Sequence, residues 1–268
     1  MDKTEFDNKV ISEIKEKALK SLMNYGKQND VLGSQVFSIL EQEATVLYYP
    51  VQDNNIWGFT KKIKDKVFVW INTAIAFEDQ VLTAAYVLYH TWYDNKDGII
   101  MERDERLPNN ERETIAERFA TEFLINENLL EQQIITYHIN TENLRIQEIL
   151  RLSNIFTVPY DTMVRRLYEI GRINKEVYDQ LISFTEQEIE IWRNRLGFRI
   201  LSAENDIATG NLVDLALKVY EEKIITIERL EYLLSLANFK LEDMGIDYTD
   251  TNSFPTHEEL DEIMNENI

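Results

Sequence analysis

The 268-residue chain contains no cysteine, only eight glycines and four prolines, and only three histidines. The missing cysteine excludes disulfides, thiolate zinc sites and a cysteine nucleophile. So little glycine and proline argues against a loop-rich all-β fold and for long helices. No run of about 18 apolar residues occurs, so no membrane span is expected. The N-terminal segment MDKTEFDNKVISEIKEKALK is charged and amphipathic and lacks the apolar centre of a signal peptide. A soluble, cytoplasmic protein is the expectation. Basic charge is also scarce: 28 Lys and Arg stand against 48 Asp and Glu, a formal net charge of −20. Direct nucleic-acid binding is not expected, because it needs a basic footprint on the phosphates. The acidic excess reads either as solubility or as complementarity to a basic partner such as a DNA-binding protein. There is no glycine-rich phosphate loop, no Gly-x-Ser-x-Gly elbow and no Ser/His/Asp arrangement. The acidic cluster ERDER at 102–106 lacks the ordered carboxylate spacing of an EF-hand.

What remains is ample for a core: 44% of residues are hydrophobic and 11% aromatic. Phe6, Val10, Ile11, Ile14, Ala18, Leu19 and Leu22 recur at helical spacing over 6–24, and a second helix runs from Ser34 to about Ala44. Three β-like runs follow at 45–51, 55–63 and 66–72, the last two separated by KDK and expected to pair antiparallel. A helix over 77–93 comes next, and from 111 onward the pattern is helical throughout. It includes one long charged helix over 174–197, with Gly171 and Gly197 as stops. The expected fold is α+β and mostly helical: a small three-stranded antiparallel sheet with its helices, then a C-terminal helical region. The expected divisions are N-terminal helices over 1–44, a core with helical extension over 45–200, and a small helical region with an acidic tail over 201–268. From Leu241 onward the tail has nine acidic residues and no Lys or Arg, and its HEELDEIM segment reads as solvated or as a short partner-binding helix.

The segment VLTAAYVLYHTWYD at 81–94 carries the most information. A zinc-peptidase helix with His-Glu-x-x-His sets two imidazoles one turn apart with a general base between them. In that frame this chain has Tyr86, Val87 and His90. One imidazole survives, a phenol takes the other ligand position, and the base position is aliphatic. Tyr86, His90 and Asp94 follow one another at intervals of four and share a helix face. A lone His beside Leu88, Trp92 and Tyr93 reads first as a hydrogen-bonded packing residue and second as a ligand.

Four segments in series carry a family resemblance: WGFTKKIKDKVFVWIN, DQVLTAAYVLYH, ETIAERFATEFLIN and NIFTVPYDTMVRRLYEIGRI. Their order and spacing over about 32–173 resemble the ImmA/IrrE metallopeptidases, which accompany or cleave helix-turn-helix repressors on mobile elements and in stress responses. Members show a strand ending in Ile-Asn, then Thr-x-Ala-His-Glu-Leu-Gly-His. Glu-Ala-Asn-x-Phe-Ala comes next, and later Phe-x-Val-Ser before Arg-Leu. The resemblance implies a zincin-like arrangement, and it extends to LALKVYEEKIITIERLEYLLSL, similar to a C-terminal helical region of some members. The departures fall on the chemistry. The family's first His is Tyr86 here and its general-base Glu is Val87, while His90 is retained. The third ligand, a Glu directly before Ala, becomes Ile115 before Ala116. Glu113, two residues earlier, is rotated by about 200° and expected to face away from the site.

No bound metal is expected on this reading, because a catalytic zinc needs three protein ligands and a water position. The expected function is that of a catalytically inactive metallopeptidase-like protein that binds a helix-turn-helix repressor or another regulator of a phage or mobile element. One alternative is an active zinc peptidase with a substituted site that uses Asp94 or Glu113. The other is an acidic DNA mimic that inhibits a nucleic-acid-binding protein.

Overall fold

A computed structural model describes residues 8–53, 55–64, 66–94, 99–102, 111–141, 144–198, 212–237 and 239–246. The acidic tail beyond 246, the boundary segment 199–211 and most of the ERDER cluster lie outside these residues. The chain divides into two compact units, Met1–Asn205 and Asp206–Ile268.

The first unit begins with helices α1 (Asn8–Asn24) and α2 (Gln35–Glu43). Strands β1 (Thr45–Tyr49), β2 (Ile56–Ile63) and β3 (Lys66–Asn72) follow, then helix α3 (Phe77–Tyr93) and strand β4 (Ile99–Glu102). The α+β, mostly helical character expected from the sequence is what the structure has, but the sheet differs. It has four strands in the order β1-β3-β2-β4 and is mixed, because β1 runs parallel to β3 while β2 is antiparallel to both β3 and β4.

The parallel pair has a local cause. The β2–β3 hairpin occupies one edge of β3, so β1 must take the other, and the link from β1 to β2 then crosses the C-terminal end of β3. Asn72 fastens that crossing. Its side chain accepts from the backbone N–H groups of Val51 and Ala74 and donates to the carbonyls of Val51, Asp53 and Ile56 at 2.8–3.2 Å. Asn72 is fully buried, and its amide is saturated by backbone that would otherwise lack partners.

Helix α3 lies across the sheet and is buried continuously from Gln80 to His90, apart from half-buried Leu82. A helix apolar on all sides belongs in the centre of a domain. Its approach to the sheet requires a glycine: a Cβ on Gly58 of β2 would stand 2.8 Å from Thr83 Cγ2 and 3.0 Å from the Trp70 carbonyl oxygen. Helix α4 (Glu111–Leu124) packs along α3 and against α1. Between them lies an aromatic cluster in which Phe119 and Phe123 stack with centroids 5.6 Å apart and Trp92 meets Phe123 edge-on at 5.7 Å. Such pairs contribute about 0.5–1.5 kcal/mol each beyond burial. Helices α1 and α2 share this core through Ile14, Ala18, Leu22, Val36 and Leu40.

Helices α5 (Glu127–Thr136), α6 (Ile146–Phe156) and α7 (Tyr160–Glu169) extend the same core. The single helix expected over 174–197 is two, α8 (Lys175–Ile182) and α9 (Glu186–Arg195). Thr185 makes the break: its hydroxyl accepts from the Glu188 N–H while the Glu188 carboxylate accepts from the Thr185 N–H. This reciprocal cap starts a new helix rather than continuing an old one.

In the second unit α10 (Leu212–Glu221) and α11 (Ile227–Leu236) pack through Ala216, Leu230 and Leu234. Thr226 caps α11 by accepting from the Arg229 N–H.

Candidate functional site

The last two turns of α3 and the first turn of α4 bring the candidate residues together. His90 is 3% exposed, and its ring is enclosed by aromatics: Tyr86 lies edge-on with centroids 4.7 Å apart, and Tyr89 edge-on at 5.5 Å. Tyr86 and Val87 are themselves buried. Where a zinc-peptidase helix carries a second imidazole one turn before the first, this helix carries a phenol ring packed on the one that remains.

Asp94 ends the helix. Its backbone N–H closes on the His90 carbonyl, and its carboxylate Oδ2 stands 3.1 Å from His90 Nδ1. The other carboxylate oxygen is 2.5 Å from Arg112 Nη2 at the start of α4. On the opposite edge of the imidazole, Glu113 Oε2 is 3.5 Å from Nε2. Glu113 therefore does not face away, contrary to the expectation from its offset to Ile115. The stripe of α4 that packs inward, through Ala116, Phe119, Ala120 and Phe123, runs between the two positions. Glu113 and Ile115 border it on opposite sides: the long carboxylate reaches His90, and Ile115 is half-buried against the core.

The electrostatics follow from this enclosure. Burial lowers the His90 pKa below its usual 6.5 and outweighs the Asp94 hydrogen bond and charge that favour protonation. Burial first, and Glu117 second, raise the pKa of Glu113. Burial also raises the Tyr89 phenol. A neutral imidazole that donates from Nδ1 to Asp94 presents a bare lone pair at Nε2. Neither Nε2 nor Glu113 Oε2 has a hydrogen-bond partner.

These donors do not fit a catalytic zinc ion. Asp94 and Glu113 approach opposite nitrogens of one ring, so no single ion takes His90 and both carboxylates. Among the described residues no group of three or more His, Cys, Asp or Glu side chains could hold a metal. Tyr86, Val87 and Ile115 stand where the resemblance places the other ligands and the base, and Val87 has no group with which to take a proton from water.

A second buried charged cluster, not read from the sequence, holds the scaffold behind the site. Arg166 on α7 is fully buried and forks onto Glu122 of α4, Nη1 to Oε1 at 2.7 Å and Nη2 to Oε2 at 2.6 Å. Its Nε donates to the Ile125 carbonyl at 3.1 Å. Arg118 bridges Glu122, at 3.1 Å, and Glu169. The Arg-Leu pair read as a motif, Arg166 and Leu167, is thus a staple between α4 and α7. Only the Arg-Leu pattern marked it in the sequence, and nothing there gave its partner.

A small mixed sheet, a buried helix laid across it with one surviving imidazole, and a second helix bringing a carboxylate to that imidazole define a metallopeptidase-like domain. Residues 41–168 match the model of the family described as Peptidase_M78, the IrrE N-terminal-like domain. The chain accordingly carries an ImmA/IrrE-type metallopeptidase-like domain. No curated protein matches it significantly. No helix among the described residues is long and apolar enough to cross a membrane.

Proposed function

We propose that this protein is a catalytically inactive member of its metallopeptidase-like family and acts by binding another protein. The observation that carries the reading is the buried row Tyr86, Val87 and His90 on α3, with the phenol ring packed at 4.7 Å on the His90 imidazole. A hydrolase needs ligands and a base at these positions, and here two of the three side chains are a phenol and an alkyl group. The proposed partner is a helix-turn-helix repressor or another regulator of a phage or mobile element, in keeping with the family, and the net charge of −20 suits a basic one. The proposed compartment is the cytoplasm.

Affinity capture with the full chain from its host, followed by mass spectrometry, tests this reading. The expected prey is an intact DNA-binding regulator that is released as salt rises and stays uncleaved when zinc is added. Cleavage of the prey that depends on zinc and on His90 would overturn the reading.

One observation favours a second reading, an active zinc enzyme with a substituted site. Asp94 stands behind Nδ1 as carboxylates stand behind metal-bound imidazoles, and Nε2 faces Glu113. That reading requires a third ligand and a base from elsewhere.

A further inference from the structure

Away from the family site, Phe184 in the break between α8 and α9 and Trp192 of α9 line, together with residues at the N-terminal ends of α6 and α8, a half-open cavity of about 540 Å³. That lies in the usual size range of small-molecule sites, about 300–1,000 Å³. The apolar part of its lining comes from Leu144, Val177, Leu181, Phe184 and Trp192. The polar part comes from Arg145, Arg172, Gln147 and Asn174.

The charge of this lining runs against that of the chain. Acidic residues outnumber basic ones 48 to 28 overall, yet the described residues lining the cavity include two arginines and no Asp or Glu. Arg145 is exposed and immediately precedes α6, and Asn174 is the N-cap of α8, so the positive ends of two helices meet at the polar part of the lining. Arg172 spends Nε on Glu131 at 2.6 Å, a contact that leaves its two terminal nitrogens out. The backbone of Arg145 is engaged in starting α6, its N–H donating to the Glu148 carboxylate and its carbonyl accepting from the Glu148 and Ile149 N–H groups, and its guanidinium makes no ion pair among the described residues. Gln147 adds a side-chain amide to the lining; its buried Oε1 has no hydrogen-bond partner and, as an acceptor, would take a hydroxyl of the ligand or a water rather than the carboxylate. Planar forks of N–H donors together with an indole and a phenyl ring in one lining suit a compact aromatic body bearing a carboxylate.

We propose that the cavity between α6, α8 and α9 binds a small amphipathic carboxylate, held by Arg145 and Arg172 at its charged end and by Phe184 and Trp192 along its apolar body. This site is separate from the remnant around His90 and stands whether or not that remnant is inactive.

The test is calorimetric titration of the full chain with 1-naphthoate, alongside 1-naphthalenemethanol as a neutral analogue of the same size. Saturable one-to-one binding of naphthoate is expected, at least tenfold tighter than the alcohol, with a change in tryptophan fluorescence that is lost in Trp192→Phe. Arg145→Gln, which removes no ion pair seen in the structure, should weaken naphthoate about tenfold and leave the alcohol unchanged. Arg151→Gln, on the same helix outside the cavity lining, should change neither. Equal affinity for acid and alcohol in the wild-type chain would overturn the proposal without recourse to any variant. So would the absence of saturable binding, or naphthoate affinity indifferent to Arg145→Gln in a variant that melts like the wild type.

Discussion

Two buried charged clusters sit on the same helix and differ in kind. At Glu122, helix α4 is stapled to α7 by Arg166, whose Nε, Nη1 and Nη2 all find acceptors at 2.6–3.1 Å. At Glu113, nine positions earlier and about two and a half turns away, the same helix meets His90 of α3 at 3.5 Å, and neither facing atom has a hydrogen-bond partner. In the first cluster the Arg166 guanidinium is fully paired, and the one orphan is the Nε of its neighbour Arg118. The second has a carboxyl group and an imidazole nitrogen facing each other at 3.5 Å without a hydrogen bond. Scaffold and candidate site thus differ: the arginine that fixes α7 to α4 is satisfied, while the facing atoms of His90 and Glu113 are not.

The comparison is sharpest where Arg166 is removed. Arg166→Ala should cost about 3–5 kcal/mol in urea denaturation, because it leaves the Glu122 carboxylate buried and without its fork. A loss below about 1 kcal/mol would show that the staple is not holding α4 to α7. Asn72→Ala comes next at about 3 kcal/mol, since it frees several backbone groups at the strand crossing that a buried alanine cannot pair. The smallest change is expected at the frustrated cluster: His90→Leu should alter stability at pH 7 by less than about 1.5 kcal/mol, because the imidazole is neutral, enclosed by rings and only half satisfied.

The same cluster sets a pH dependence. His90 has its pKa lowered in the fold, so between that value and about 6.5 the unfolded chain binds the extra proton. Its contribution is complete above pH 6.5 and is lost as the pH falls. Glu113 has a raised pKa and acts in the opposite sense, with a contribution present below about 4.5 and lost as the pH rises through its folded value. Stability measured from pH 7 down to 5 should therefore fall less in His90→Leu than in the wild type, and more in Glu113→Gln. A wild-type slope unchanged by His90→Leu would show that the imidazole is not buried as described.

Much of this was legible in the sequence. The helix carrying Tyr86 and His90 was readable from its apolar run, and the family from four motifs whose spacing a single matching domain now accounts for. The strand order was not, because β1 pairs through a crossing fastened by one buried Asn, and no local pattern announces which edge of β3 is free. The break in 174–197 was readable: Thr185 and Glu188 stand at capping-box spacing, but the continuous helical pattern on either side outweighed them. Glu113 was misplaced because rotation about a helix fixes angles between residues without fixing which side faces the neighbour. That depends on Ala116, Phe119 and Ala120 packing against α3 as a set.

The most direct test of the central claim is the zinc content of the 268-residue chain, purified without chelators and then equilibrated with zinc, for the wild type and His90→Ala. An inactive domain predicts substoichiometric zinc that is the same in both. One zinc per chain, lost on His90→Ala, would contradict it.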